Sequence, residues 1–342
     1  MMNIKKTIAA LTEGAGVSGA EEAVIKAEEL LREYADDVHR DTLGNVIGTL
    51  GKGEKHILLD AHLDRIGLVV TAVDQSGFLR VDRCGGADPR VLCAAEVVIW
   101  GKKPIYGVVT STPPHLAKEA DKGKAPKFDE IFIDTGMKYE ELKEIVAPGD
   151  RITINYPVMD LAGNRIAGSA LDDRAGVAAI LRTLEIIKEQ ELGVKLTIMF
   201  SAQEEVGGNG SITGAFEAFP DEAIVVDVTF AEAPGIDKAK CGKLGEGVAI
   251  GIAPILDKGL TDRLVAISQE NSIKHTLEVS SRSTGTNADD IGITRTGIRT
   301  AVLSIPLRSM HTQAEIIDTD DVEATAQLMA KYILGEGGRK DV

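Results

Sequence analysis

The chain has 342 residues, 44% of them apolar, and a formal charge of −15, so it is long enough for one large core or two domains and too apolar to be disordered. The charge argues against a general nucleic-acid binder and against an anionic-membrane binder. Cys84, Cys93 and Cys241 are odd in number and form no C-x-x-C pair, and the N-terminal lysines precede no sustained apolar stretch; a disulfide framework, a signal peptide and a membrane span are not expected, and a cytoplasmic protein is.

Residues 4–13 and 20–36 are predicted helical. Ser18, in the glycine-rich break at 14–19, is placed to cap the second helix, whose Ala23, Ala27, Leu30, Leu31 and Tyr34 recur at helical spacing. Strands follow at 45–50 and 55–60. The texture then changes, with short strands at 68–73, 78–82, 96–100, 105–110, 131–134 and 151–156 and no strong long helix between them. The lysine-rich segment 117–127 reads as a surface loop and Pro148-Gly149-Asp150 as a turn. This block has the character of an all-β barrel or sandwich inserted into an α/β chain, dividing it into 1–67, 68–163 and 164–342. From Arg165 the α/β alternation resumes: a helix at 175–190 with Val177, Ile180, Leu181, Leu184 and Ile187 on its apolar side, strands at 196–200, 223–228, 248–252, 276–280 and 300–305, and helices at 260–273 and 319–333. Such alternation implies a mixed or mostly parallel sheet covered on both faces.

The apolar run Leu196–Phe200 ends in Glu204 and Glu205 and then glycines, the position past a strand where α/β sheets hold their ligands. Other polar residues share that context. His62 follows the strand at 55–60, Asp172 precedes a helix, Asp227 ends Ala-Ile-Val-Val, and His311 follows the strand at 300–305. Imidazole nitrogen and carboxylate oxygen are the donors that divalent transition metals take. A two-metal hydrolase needs a bridging carboxylate, further ligands for each ion, and a free carboxylate to take a proton. Asp172 can bridge, His62 and Asp227 can hold one ion, and Glu205 and His311 the other, which leaves Glu204 as the base. Asp64, two residues beyond His62, suits a carboxylate that orients the imidazole. Taken singly each has a plainer reading: Asp172 as a helix cap, His311 as a packed core histidine, Asp64 as a loop acid, Glu204-Glu205 as a solvated turn. The combination points to a metal centre. His39, His56, His115 and His275 lack comparable partners. The P-loop, the dinucleotide fingerprint, the G-x-S-x-G elbow and the H-E-x-x-H helix are all missing.

Five pieces carry a family resemblance: residues 61–67 (Ala-His-Leu-Asp-Arg-Ile-Gly), 170–176 (Ala-Leu-Asp-Asp-Arg-Ala-Gly), 203–207 (Gln-Glu-Glu-Val-Gly), 226–229 (Val-Asp-Val-Thr) and 305–311 (Ile-Pro-Leu-Arg-Ser-Met-His). Together they resemble, in order and over nearly the whole chain, the dinuclear-metal aminopeptidases of the glutamyl-aminopeptidase and tetrahedral-aminopeptidase type, some of which carry an endoglucanase or cellulase label. The resemblance implies a zinc-peptidase-like α/β/α sandwich with an inserted PDZ-like β-barrel that serves as lid and dimerisation unit. It implies His62, Asp172, Glu205, Asp227 and His311 as ligands of two divalent ions (zinc or cobalt, manganese in some relatives), Glu204 as catalytic base and acid, and Asp64 behind the first histidine. It also implies short peptide substrates cut at their N-termini, and homodimers that build tetrahedral dodecamers. Three departures touch substrate reading: Arg65 where the family commonly has Glu, Gly208 and Asn209 after the Glu205-Val206-Gly207 step, and Asn287 in place of an Asp. A deacylase or carboxypeptidase acting on acyl-amino acids would use the same ions. A glycoside hydrolase would leave the histidines idle, and an inactive peptide-binding assembly protein would have no use for the complete ligand-plus-base set.

Overall fold

The structure, a computed structural model, describes residues 2–21, 24–113, 115–116, 124–238 and 241–336. It opens with α1 (Ile4–Thr12), α2 (Ile25–Leu31), β1 (Asp37–Arg40), β2 (Val46–Leu50) and β3 (His56–His62). Next come β4 (Gly67–Val73), β5 (Phe78–Cys84), β6 (Glu96–Trp100), β7 (Pro104–Val109), β8 (Phe132–Asp134), α3 (Tyr139–Leu142) and β9 (Arg151–Ile154). Then β10 (Met159–Asp160), β11 (Arg165–Gly168), α4 (Leu171–Ile187), β12 (Lys195–Ser201), α5 (Asn209–Ala218) and β13 (Glu222–Phe230) follow. The chain closes with β14 (Val248–Ile252), α6 (Lys258–Glu270), β15 (His275–Val279), α7 (Ala288–Ile291), β16 (Arg299–Arg308), β17 (Glu315–Asp318) and α8 (Thr319–Glu336).

Strands β4 to β9 close an antiparallel barrel in the order β4-β5-β8-β7-β6-β9, filled by its own cluster of Leu68, Val70, Leu79, Val97, Ile133 and Ile152. The remaining strands form one large sheet, ordered β1-β2-β12-β3-β13-β16-β17-β11-β10, with β14 attached to β16 and β15 to β14. At its centre β12, β3, β13 and β16 run parallel, so their C-terminal ends meet along one rim. The two-residue strand β10 pairs with β11 and thus already belongs to the large sheet.

Alternation assigns each strand's side chains to the two faces. Ile57, Leu59 and Ala61 of β3 pack with α1, α4 and α8, whereas Leu58 joins the cluster that includes Ala215 of α5 and Ile291 of α7. The same parity splits β13: Ile224, Val226 and Val228 face the first layer and Ala223 and Val225 the second. The result is the three-layer α/β/α sandwich with an inserted barrel that the sequence led us to expect. Among the described residues no helix is long and apolar enough to cross a membrane.

Several expectations are corrected. The second helix begins at Ile25, not residue 20, and Ser18 does not cap it; its hydroxyl donates to Asp64 Oδ2 at 2.6 Å. Ala23 and residues 117–123 of the expected loop lie outside the described residues. The plainer alternative for Asp172, a helix cap, is taken by its neighbour: Gly176 N donates to Asp173 Oδ1 at 2.9 Å. Strands β1, β10, β11 and β17 were not anticipated.

Candidate metal centre

The rim of the parallel strands gathers the residues that the sequence singled out. His62 is the last residue of β3 and pairs in register with Ser201 of β12, from which the chain turns directly into Glu204 and Glu205. Asp227 lies in β13 opposite Ser304 of β16. Asp172 enters from the first turn of α4, where Asp172 and Asp173 have non-helical backbone angles. Three residues that aim the site, Ala170, Gln203 and His311, have φ of 60°, 62° and 60°, a left-handed conformation that costs a non-glycine residue on the order of 1–3 kcal/mol and is held only where surrounding contacts enforce it.

Asp172 stands between the two histidines. Its Oδ1 is 2.9 Å from His62 Nε2 and its Oδ2 is 3.3 Å from His311 Nε2. His311 Nε2 is also 3.3 Å from Glu205 Oε2, and His62 Nε2 is 3.9 Å from Asp227 Oδ1. The donor atoms form two clusters that share His62: His62, Asp172 and Glu205, and His62, Asp173 and Asp227, with all atoms in each within 4.8 Å of one another. This geometry is consistent with a dinuclear divalent-metal site. Asp173 is the member the sequence reading missed, because its neighbour Asp172 was the carboxylate with an obvious role.

The electrostatics test the fit. Burial, reinforced by neighbouring carboxylates, holds Glu204, Asp173 and Asp227 above the usual carboxylate range and pushes Glu205 up to about 10. Burial acts the same way on Asp172, but the His311 and His62 imidazoles outweigh it and hold that carboxyl below its ordinary value. Like charges in one buried site are relieved by protons or by cations. Asp173 Oδ2 is buried without a hydrogen-bond partner, and the donor set is the imidazole-plus-carboxylate mixture suited to zinc, cobalt or manganese. The residues fit two divalent ions.

A second layer of contacts holds these groups in place. Asp64 Oδ1 accepts from Glu204 N at 2.9 Å, and its Oδ2 accepts from Glu205 N at 3.2 Å and from Ser18 Oγ at 2.6 Å. His62 Nδ1 lies 3.1 Å from the Asp64 carbonyl oxygen and 3.5 Å from Asp64 Oδ1, which leaves Nε2 to face the cluster. Glu315 Oε2 accepts from Asp172 N at 3.2 Å and its Oε1 from His311 N at 3.0 Å; burial and the Asp172 charge push its carboxyl up to about 8. Glu21 Oε1 accepts from Gln203 N at 3.0 Å. The barrel contributes Gly86, where an added Cβ would collide with the His311 ring. Sequence reasoning missed Glu315, Glu21 and Gly86.

The departures also find places. Arg65 is buried with its Nε unpartnered, and burial pushes it down to about 10 against the pull of Glu315 and Glu205. Asn287 does not face a ligand; its Nδ2 donates to Asp60 Oδ2 at 2.9 Å and to Ser201 Oγ at 2.8 Å. An Asp at 287 would set two carboxylates against each other there. Asn209 Nδ2 donates to Gln203 Oε1 at 3.1 Å, bracing the turn before Glu204. The cluster opens into a cleft of about 460 Å³ whose lining includes Glu204, Thr229, Ile252, Glu278 and Thr286.

Comparison with known proteins agrees with this geometry. The sequence profile of the family described as M42 glutamyl aminopeptidase matches residues 44–328. A lysyl aminopeptidase of Pyrococcus furiosus is 37% identical over 335 residues, spanning 95% of each chain. Among solved structures, an aminopeptidase from the archaeon Desulfurococcus kamchatkensis superposes with a TM-score of 0.90 at 32% identity, covering 96% of this chain and 94% of its own. A TET1 peptidase of Pyrococcus horikoshii, able to assemble into a tetrahedron or a large octahedral shell, gives 0.85 at 31% identity, covering 97% of this chain and 99% of its own. The chain belongs to the M42 glutamyl aminopeptidase family and is a metal-dependent aminopeptidase acting on the N-termini of peptides.

Proposed function

We propose that Glu204 is the general base and acid of this aminopeptidase, and that His62, Asp172, Glu205, Asp227 and His311 would hold the two ions, with Asp172 standing between the two histidines and Asp173 beside His62 and Asp227. The observation that carries the reading is the position of Glu204. It lines the cleft, belongs to neither three-residue cluster, and has its amide tied to Asp64. Divalent ions held by these residues would supply acidification of a water and polarisation of the scissile carbonyl. Glu204 would accept a proton from the attacking water on a carboxylate oxygen and return it to the departing amine nitrogen. Asp64 holds the Glu204 and Glu205 amides and steadies His62, so base and ligands keep one geometry through the cycle.

Glu204→Gln is expected to keep its metal, measured by mass spectrometry of the dialysed protein. Its kcat/KM on a free-amine aminoacyl anilide is expected to fall by ~10²–10⁴. Full activity in that variant with metal bound would refute the assignment of the base.

The wider reading is a cytoplasmic enzyme using zinc or cobalt. In the proposed division 1–67, 68–163 and 164–342, the barrel serves as lid and dimerisation unit. Gly86 against His311 supports the lid role. Dimers building a tetrahedral dodecamer are proposed from the likeness to the Pyrococcus horikoshii peptidase.

A further inference from the structure

The cleft beyond the metal cluster is one-sided in charge. Its lining contains Glu278 in addition to the acids of the cluster and, among the described residues, no lysine or arginine. Glu278 lies on β15, the outermost strand beside β14. Its Oε1 accepts from Thr229 Oγ1 at 2.5 Å, and the carboxylate makes no ion pair among the described residues. Thr229 stands two residues beyond Asp227 on β13, about 7 Å along an extended strand and on the same face. The carboxylate is therefore set off from the metal cluster by about the reach of one long side chain. Apolar Phe230 and Ile252 also line the cleft.

We infer that Glu278 selects peptides whose first residue is lysine or arginine. This rests on the aminopeptidase reading of the same cleft. A cationic side chain lays its methylene stem along the apolar lining and brings its charged end to the unpaired oxygen of Glu278, a charge-assisted hydrogen bond that a neutral residue does not make. A first residue with its own carboxylate meets repulsion from Glu278 and finds no lysine or arginine among the described lining residues to compensate. The glutamyl specificity in the family's description would call for the opposite lining.

The test is a panel of lysyl, arginyl, leucyl and glutamyl p-nitroanilides on the zinc- or cobalt-loaded enzyme and on Glu278→Gln and Glu278→Lys. Wild type is expected to prefer Lys and Arg to Leu by ~10-fold or more in kcat/KM, with Glu lowest. Glu278→Gln, which keeps an acceptor for Thr229, is expected to cut the Lys-to-Leu ratio by ~10–100-fold, mainly through KM. Glu278→Lys is expected to raise the Glu-to-Lys ratio above that of wild type. An unchanged Lys-to-Leu ratio in Glu278→Gln overturns the inference. So does an equal fall on every substrate, which would assign Glu278 to the α-amine common to all of them. Wild-type turnover without preference for the basic residues refutes the role of Glu278 alone, whereas no turnover of any free-amine anilide by the metal-loaded enzyme sinks the aminopeptidase reading as well.

Discussion

The Asp64 carboxylate accepts from two consecutive amides, those of Glu204 and Glu205, and from Ser18 Oγ, while its Oδ1 sits 3.5 Å from His62 Nδ1. Its charge thus serves a metal-ligand candidate, the proposed base and the N-terminal segment at once. Asp64→Asn keeps the shape but turns an N–H₂ toward groups that are themselves donors. The variant is expected to lose ~10–100-fold in zinc affinity and on the order of 1–3 kcal/mol of stability, measured by competition with a chromophoric chelator and by urea unfolding. Wild-type zinc affinity in Asp64→Asn would contradict this positioning role. Asp64 was legible because it lies two residues from His62, within one motif. Ser18 and Glu315 were not: the partner of Ser18 is 46 residues away and that of Glu315 Oε2 is 143 residues away. Locally, each looks like an ordinary cap or turn residue. Gly86 was opaque for a related reason, since only the folded chain brings the barrel loop against His311.

Strand β3 shows how far an element can be read. Its residues are all buried, and the apolar run Ile57-Leu58-Leu59 at its centre marks a buried strand in the sequence. The same holds for β12, β13 and β16. The short strands β1, β10, β11 and β17 have only two to four residues each, too few to establish a period, and their existence depends on neighbours supplied from elsewhere in the chain. At the other end of β3, His56 looked structural in sequence, and the structure agrees: Nε2 lies 2.8 Å from Thr197 Oγ1 of β12. Burial, with the Lys195 charge adding to it, pushes His56 down to about 4. The unfolded chain, with an ordinary histidine, therefore binds the proton first as pH falls. The stabilising contribution of neutral His56 is complete above about pH 6.5 and is lost as pH falls from there to about 4, by roughly 3 kcal/mol in all. His56→Gln removes the titration and keeps a partner for Thr197. Urea unfolding of the two proteins between pH 7.5 and 4 is expected to show a steeper loss in wild type, and parallel curves would show that His56 already titrates normally in the fold.

For the whole molecule, the proposed assembly has to overcome its own charge. Each chain carries −15, and twelve copies repel one another at a range set by salt. Contacts between copies must then draw on apolar surface, and the barrel offers some: on β7, Tyr106 and Val108 point outward and are 71% and 45% exposed, while Gly107 and Val109 between and beyond them are buried. Adjacent apolar side chains on an outer strand face suit an interface between copies. Twelve chains of 36.3 kDa make a particle of roughly 440 kDa. Light scattering on the eluting peak is expected to report that mass at 150 mM salt. It is expected to report smaller species at 10 mM, where the screening length grows from about 8 to about 30 Å. Tyr106→Glu combined with Val108→Glu is expected to shift the protein to smaller species at both salt concentrations, because each copy then adds charge to the contact it must bury. A hollow particle also filters its substrates: a short peptide should be trimmed, and a stably folded protein with the same N-terminal residues should survive. A monomeric peak at 150 mM salt with full peptidase activity would overturn the proposed assembly, and any discrimination against folded proteins would then have to come from the 460 Å³ cleft itself.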